Sequence, residues 1–169
     1  MTAPTIQALV DAYAVGGVEG LRRAVAALEP SPDLLSALVT AHADPDAAVA
    51  ASWVLRHWLE GGTSLGSRRT AALVARLGDL GHADARLHVC QSIAHYDVPD
   101  RSSDSLADFL REAAGDEHKL VRAWAIDGFV RLAAQHPRFT EEAELWLERG
   151  REDPAASVRA RVRNIDRGR

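Results

Sequence analysis

The stretch Asp116–Leu132, DEHKLVRAWAIDGFVRL, constrains this chain most. An aspartate, Asp116, is followed six residues later by Arg122, which comes directly after the apolar Val121. The same grammar returns as Asp153-Pro154 with Val158-Arg159. Asp44-Pro45 with Val49 repeats its first half, with Ala50 in place of the arginine, and His82 with Leu87-His88 keeps only the spacing. Aligned on Val49, Leu87, Val121 and Val158, the units lie 38, 34 and 37 residues apart. A second set of apolar anchors, Leu38, Val74, Leu110 and Leu147, recurs at 36, 36 and 37. A period in the mid-thirties built from two helices reads as a stacked repeat, because one helix pair cannot bury both of its apolar faces alone.

Helix signals fill the intervals. Apolar residues at helical spacing predict helices over 4–14 and 17–28, broken at Gly16-Gly17. Ser31-Pro32 and Asp44-Pro45 open two more, since Ser or Asp caps free N–H groups and Pro suits a first turn; the second runs to about Glu60. Further helices are expected over 67–78, 82–96, 104–114, 116–135 and 141–150, the last burying Leu145 and Leu147, and from Asp153-Pro154 onward. That makes about ten helices in an all-α protein, with no β alternation.

With these residues on the page, the D-P-x-x-x-V-R pattern resembles HEAT repeats. The resemblance implies an α-solenoid of stacked antiparallel helix pairs forming one domain over 1–169, with 1–30 as an N-terminal capping repeat and 31–169 as four helix-pair repeats. It also implies a ladder between consecutive repeats, here Asp116, Arg122, Asp153 and Arg159, tying the third and fourth repeats together.

Charge narrows the partner. The chain carries a formal −4, all of it in residues 1–60, which hold three Arg against seven acids. Residues 151–169 hold six Arg against three acids. Overall acidity disfavours a dedicated nucleic-acid binder and leaves only a basic tip. Cys90 is the only cysteine, so no intrachain disulfide forms and a reducing cytoplasmic home is expected. Neither a signal peptide nor an apolar run of about 18–20 residues is seen, so no membrane association is expected.

Few residues advertise chemistry. His82, His88 and His95 are six and seven apart, too distant along a helix to share zinc, and no HExxH or CxxC exists, so no metal and no cofactor are expected. Cys90 has no base close by, and Ser64 and Ser67 sit in a glycine-containing loop that matches neither a nucleophile elbow nor a phosphate loop. Trp124 is different. On a helical wheel Val121, Ala125, Gly128 and Leu132 share one side, Asp127, Arg131 and Gln135 another, and Trp124 falls on the polar arc. It either packs on the next repeat or stands partly exposed beside Asp127 and Arg131, and an aromatic with an arginine is what a binding hot spot uses.

The expected function is therefore a non-enzymatic module, monomeric or weakly oligomeric, that binds another protein or peptide. The resemblance implies a concave face lined by second helices, with columns Ser52, Cys90, Trp124, Arg161 and Leu55, Ile93, Asp127, Asn164. The alternatives are an enzyme similar to HEAT-like alkylpurine DNA glycosylases, through Trp124, Asp127 and Arg131, or a helper subunit of an enzyme.

Overall fold

The computed structural model describes residues 2–168, with side chains from Thr5 onward. Among the described residues the secondary structure is helical throughout, without strands: α1 (Thr2–Val25), α2 (Pro32–Ala41), α3 (Ala48–Glu60), α4 (Gly66–Val74), α5 (Ala83–Ser92), α6 (Asp100–Ala114), α7 (Lys119–Gln135), α8 (Thr140–Arg151) and α9 (Ala156–Gly168). Nine helices stand where about ten were expected because α1 holds two helical segments. Its break falls at Gly17, whose φ of 54° lies in a region that glycine adopts without steric cost. The two segments approach so closely that a Cβ on Gly20 would lie 2.0 Å from the Ala12 carbonyl oxygen.

Of the two predicted caps, Ser31 is in place, whereas the Asp44-Pro45 start is not: α3 begins at Ala48 without a side-chain cap. Ser31 Oγ accepts the Leu34 N–H at 3.2 Å, with Pro32 at the first helical position. The loops before α3, α5, α7 and α9 share one device: the side chains of Asp44, His82, Asp116 and Asp153 each accept the N–H two residues on, at 3.0, 3.3, 2.7 and 2.8 Å. Each ties the chain into a turn that aims the following helix.

Packing runs along two rows. The helices α3, α5, α7 and α9 each pack on the next, as do α2, α4 and α6, and α6 packs on α7 and α8 on α9. Leu38, Val74, Leu110 and Leu147 are all buried, at the spacing expected for the first helices. The second helices correct the sequence alignment. Leu87 is only half-buried, and the deep position of α5 is Ala85. Val49, Ala85, Val121 and Val158 are then equivalent, 36, 36 and 37 residues apart. The physical reason is that α5 begins one residue after His82, whereas α3, α7 and α9 begin three or four residues after their aspartates.

Leu145 also departs from expectation: it is 51% exposed, while Leu147 is fully buried. The inward face of α8 is set by Ala143, Leu147 and Gly150. Gly150 and Gly128 are contact points where a Cβ would meet neighbouring side chains. At Gly128 it would lie 2.8 Å from Ile93 Cδ1 and 2.9 Å from Leu110 Cδ2, both in fully buried residues.

Two buried histidines complete the core. His42 Nδ1 hydrogen-bonds the Leu38 carbonyl at 2.8 Å, and His88 Nδ1 meets Ser52 Oγ at 3.0 Å across the α3–α5 junction. Burial pushes both imidazoles down from 6.5 to about 4. Above pH 6.5 both are neutral, folded or unfolded, and their burial carries no proton cost. Between 6.5 and 4 only the unfolded chain takes up the protons, so stability falls as pH falls through that window.

Two outcomes are expected. Gly128→Val should destabilise by about 1–3 kcal/mol through overpacking, read as a lowered denaturant midpoint; an unchanged midpoint would show that the α5–α6–α7 junction has slack. Acidification from pH 7 to about 4.5 should cost on the order of 2 kcal/mol per buried histidine. The double variant His42→Asn/His88→Gln should lose most of that slope in urea melts, and an unaltered slope would assign the acid sensitivity to carboxylates instead.

Candidate functional site

Two constellations of charge lie between consecutive second helices: a ladder at their N-terminal ends, and a cluster around Trp124. In the ladder, Arg122 Nη1 donates to the carbonyls of Asp116 and Glu117 at 2.8 and 3.0 Å. Its Nε and Nη2 form a fork on the Asp153 carboxylate, both at 3.0 Å. The arginine thus braces its own helix start while gripping the start of the next, a bidentate arrangement of the strong kind. Hydrogen bonding from Arg122 and from the Ala155 N–H holds the Asp153 carboxyl below its ordinary range.

The ladder is longer and differently registered than the sequence implied. Asp116 does not join the third and fourth pairs; it belongs to the joint before, where Arg86 Nε lies 3.4 Å from its Oδ2. Arg86 occupies the position that was assigned to His88, for the same two-residue reason that displaced Leu87. Arg159 places its Nη1 on the carbonyls of Asp153 and Pro154 at 2.6 and 2.9 Å, as Arg122 does one step earlier, and so stays within its own pair. Where Ala50 removes the arginine, Ser52–His88 and a hydrogen bond from Arg56 to Gln91 join α3 to α5 instead.

The second constellation unites all four residues expected to bind a partner: Trp124, Asp127 and Arg131 from α7, and Arg161 from α9. Arg161 Cζ lies 3.2 Å from the Trp124 ring centroid, stacked on the aromatic face. Its Nε is 3.7 Å from Asp127 Oδ1, and Arg131 Nε is 3.5 Å from Asp127 Oδ2. Both distances exceed ordinary hydrogen-bond length, so one carboxylate loosely serves two guanidiniums. The buried Arg161 Nε has no hydrogen-bond acceptor. Burial holds the Arg161 guanidinium below its ordinary range, with Asp127 opposing and Arg131 adding to the effect. Asp127, Arg131 and Arg161 border a recess of about 150 Å³ that Val130, Asn164 and Ile165 help to line. Chemically this is a half-buried aromatic–guanidinium surface with one positive charge in excess. Both readings of Trp124 hold together: it is half-buried, and what it packs on is the next pair's Arg161.

Of the remaining column residues, Asn164 is exposed at the recess and the other four do not line a surface. Ser52, Leu55, Cys90 and Ile93 are buried to 2% exposure or less. The cause is α3, buried from Ala48 through Leu55 and again at Trp58 and Leu59, which is enclosed on several sides rather than along one stripe. With the corrected register, Trp124 is equivalent to His88 and Ser52, not to Cys90. Burial pushes the Cys90 thiol up to about 12, which leaves it a small hydrophobe. Among the described residues, no three His, Cys, Asp or Glu side chains converge as a metal site would require, and no helix is long and apolar enough to cross a membrane. The missed Arg86 had one signal in sequence: it lies 36 residues before Arg122, the spacing of the first helices.

Comparison with family models, curated proteins and solved structures finds no match for this chain.

The ladder yields a stability test. Asp153→Ala removes the turn bond to Ala155 and both acceptors of the Arg122 fork, and should cost about 1–3 kcal/mol. Asp46 is exposed, and Asp46→Ala should cost less than about 0.5 kcal/mol. Hydrogen exchange should show the loss in α8 and α9; equal protection there in the two variants would remove the ladder from the list of stabilising contacts.

Proposed function

We propose that this protein is a non-enzymatic interaction module, a HEAT-like α-solenoid that binds another protein or peptide at the α7–α9 surface. The solenoid reading is supported by the two rows of helices, by the 36, 36 and 37 residue recurrence, and by arginine–aspartate links at two successive joints. The observation that carries the binding reading is that Asp127, Arg131 and Arg161, from α7 and α9, line one recess, with Trp124 stacked against Arg161. Arginine and tryptophan are the residues that dominate binding energy at interfaces, above all where they are partly desolvated beforehand. Arg161 meets that condition, and its stacking on Trp124 reduces the rotamer entropy lost when a partner docks.

The glycosylase-like alternative fits less well. The Trp124 face that would stack a base already carries Arg161, and a chain of net charge −4 supplies little affinity for a phosphate backbone. A helper subunit of an enzyme would use the same surface and is one form of the interaction reading.

The test begins with a binding protein captured from cells and then measured with purified components. Trp124→Ala and Arg161→Gln should each weaken its affinity about tenfold or more, the size expected of hot-spot residues, with melting temperatures preserved. Unchanged affinity in both variants would move the interface elsewhere. Salt-dependent retention of duplex DNA that both variants lose would replace the protein-binding reading with the enzymatic one.

A further inference from the structure

We propose that the opposite end of the molecule carries a second docking site, for a basic amphipathic helix of a partner protein. An open groove of about 1120 Å³ lies between the first segment of α1, α2 and the turn leading into α3. Its lining includes a set of apolar side chains, Ile6, Val10, Ala37, Ala41 and Ala47, beside the polar Gln7, Ser36 and Thr40. Its rim carries Asp33, Asp44 and Asp46, all exposed.

Among the described residues none of these three carboxylates takes part in an ion pair, and Asp44 Oδ1 accepts the Asp46 N–H. Arg69 reaches the edge of the groove by donating to Ser36 Oγ at 3.0 Å, which leaves the carboxylates in excess. The groove also holds much of the acidic surplus of residues 1–60, a surplus that neither the ladder nor the Trp124 cluster uses.

These features select the occupant. A volume above the usual range for small-molecule sites, open along one side, suits a peptide segment. The apolar part of the lining calls for an apolar stripe. A helix supplies one through residues at i, i+3, i+4 and i+7, the groove-binding mode in which side-chain anchors carry the affinity. Three unmatched carboxylates around that stripe call for Lys or Arg on the flanks of the same helix, which also speeds encounter at low salt. This surface has the charge opposite to that at Arg131 and Arg161. The two sites would therefore take different partners, or distant parts of one partner.

The test uses the full chain and synthetic helices of about 18 residues. One carries a leucine stripe with lysine flanks. A second has serine in place of the leucines, and a third glutamate in place of the lysines. Titration calorimetry should show saturable binding of the first helix alone, weakened at least tenfold between about 50 and about 500 mM salt. Amide shifts in NMR spectra should centre on Ala37, Ala41 and Ala47. The triple variant Asp33→Lys/Asp44→Lys/Asp46→Lys should weaken binding at least tenfold, and Trp124→Ala should leave it unchanged, which separates this site from the α7–α9 surface. Ala37→Trp, which fills the groove without changing charge, provides a second route to the same loss. The proposal is overturned if no helix binds, if the serine helix binds as tightly as the leucine helix, if the shifts lie outside the groove, or if the groove proves to be filled by a second copy of the chain in sedimentation runs without peptide.

Discussion

The helices α5 and α7 must each hide more than one side at once, and much of the packing follows from that constraint. The helix α7 packs on α5 before it and α9 after it, while also meeting α6 and α8. No single pair could supply so many apolar partners, so the core is assembled from contacts between neighbours. Small residues make the close approaches possible. Gly128 brings α7 against Ile93 and Leu110, and Gly150 brings α8 against Val162 and Ile126. Where more sides are covered, as around α3, the helix becomes apolar nearly all round and loses the amphipathic pattern that would mark an outer face.

Apolar stacking does not by itself specify how far one helix slides along the next; directional bonds do. The Arg122 fork on Asp153 has one favourable geometry, and the carbonyl contacts of its Nη1 fix where that fork stands relative to its own helix. A shift of α9 along α7 by one residue would break both bonds of that fork in a partly buried setting, where lost partners are costly. The joint from α5 to α7 uses Arg86 and Asp116 more loosely, and the joint from α3 to α5 replaces charge with a buried Ser52–His88 bond. The sign of the acid response follows: the Arg122–Asp153 link weakens when Asp153 is protonated, and the α3–α5 link weakens when His88 is.

Much of the architecture was legible in the sequence because it rests on period and caps. The anchors Leu38, Val74, Leu110 and Leu147 and the break beside Gly16-Gly17 needed nothing but spacing and backbone chemistry. The second pair was misread by two residues because a loop can start its helix early without leaving an apolar trace. That slip carried His88 into the place of Arg86 and Cys90 into the place of His88. The convergence of Trp124, Asp127, Arg131 and Arg161 was legible as residue types on one arc of α7 and one position of α9. Their mutual geometry was not, since it depends on how far α9 sits along α7.

That geometry shows why one column of equivalent positions yields core at one end and a surface at the other. Ser52 and His88 are short enough to close over one hydrogen bond, and both are buried. Trp124 and Arg161, at the same register, stack on each other and stay half-buried. Their stacking instead leaves the Asp127 carboxylate shared between two guanidiniums at the rim of a recess. A binding surface at the α7–α9 level therefore requires no departure from the packing that builds the rest of the molecule, and an arginine or tryptophan at the Ser52 level would be expected to pry open α3 and α5 in the same way.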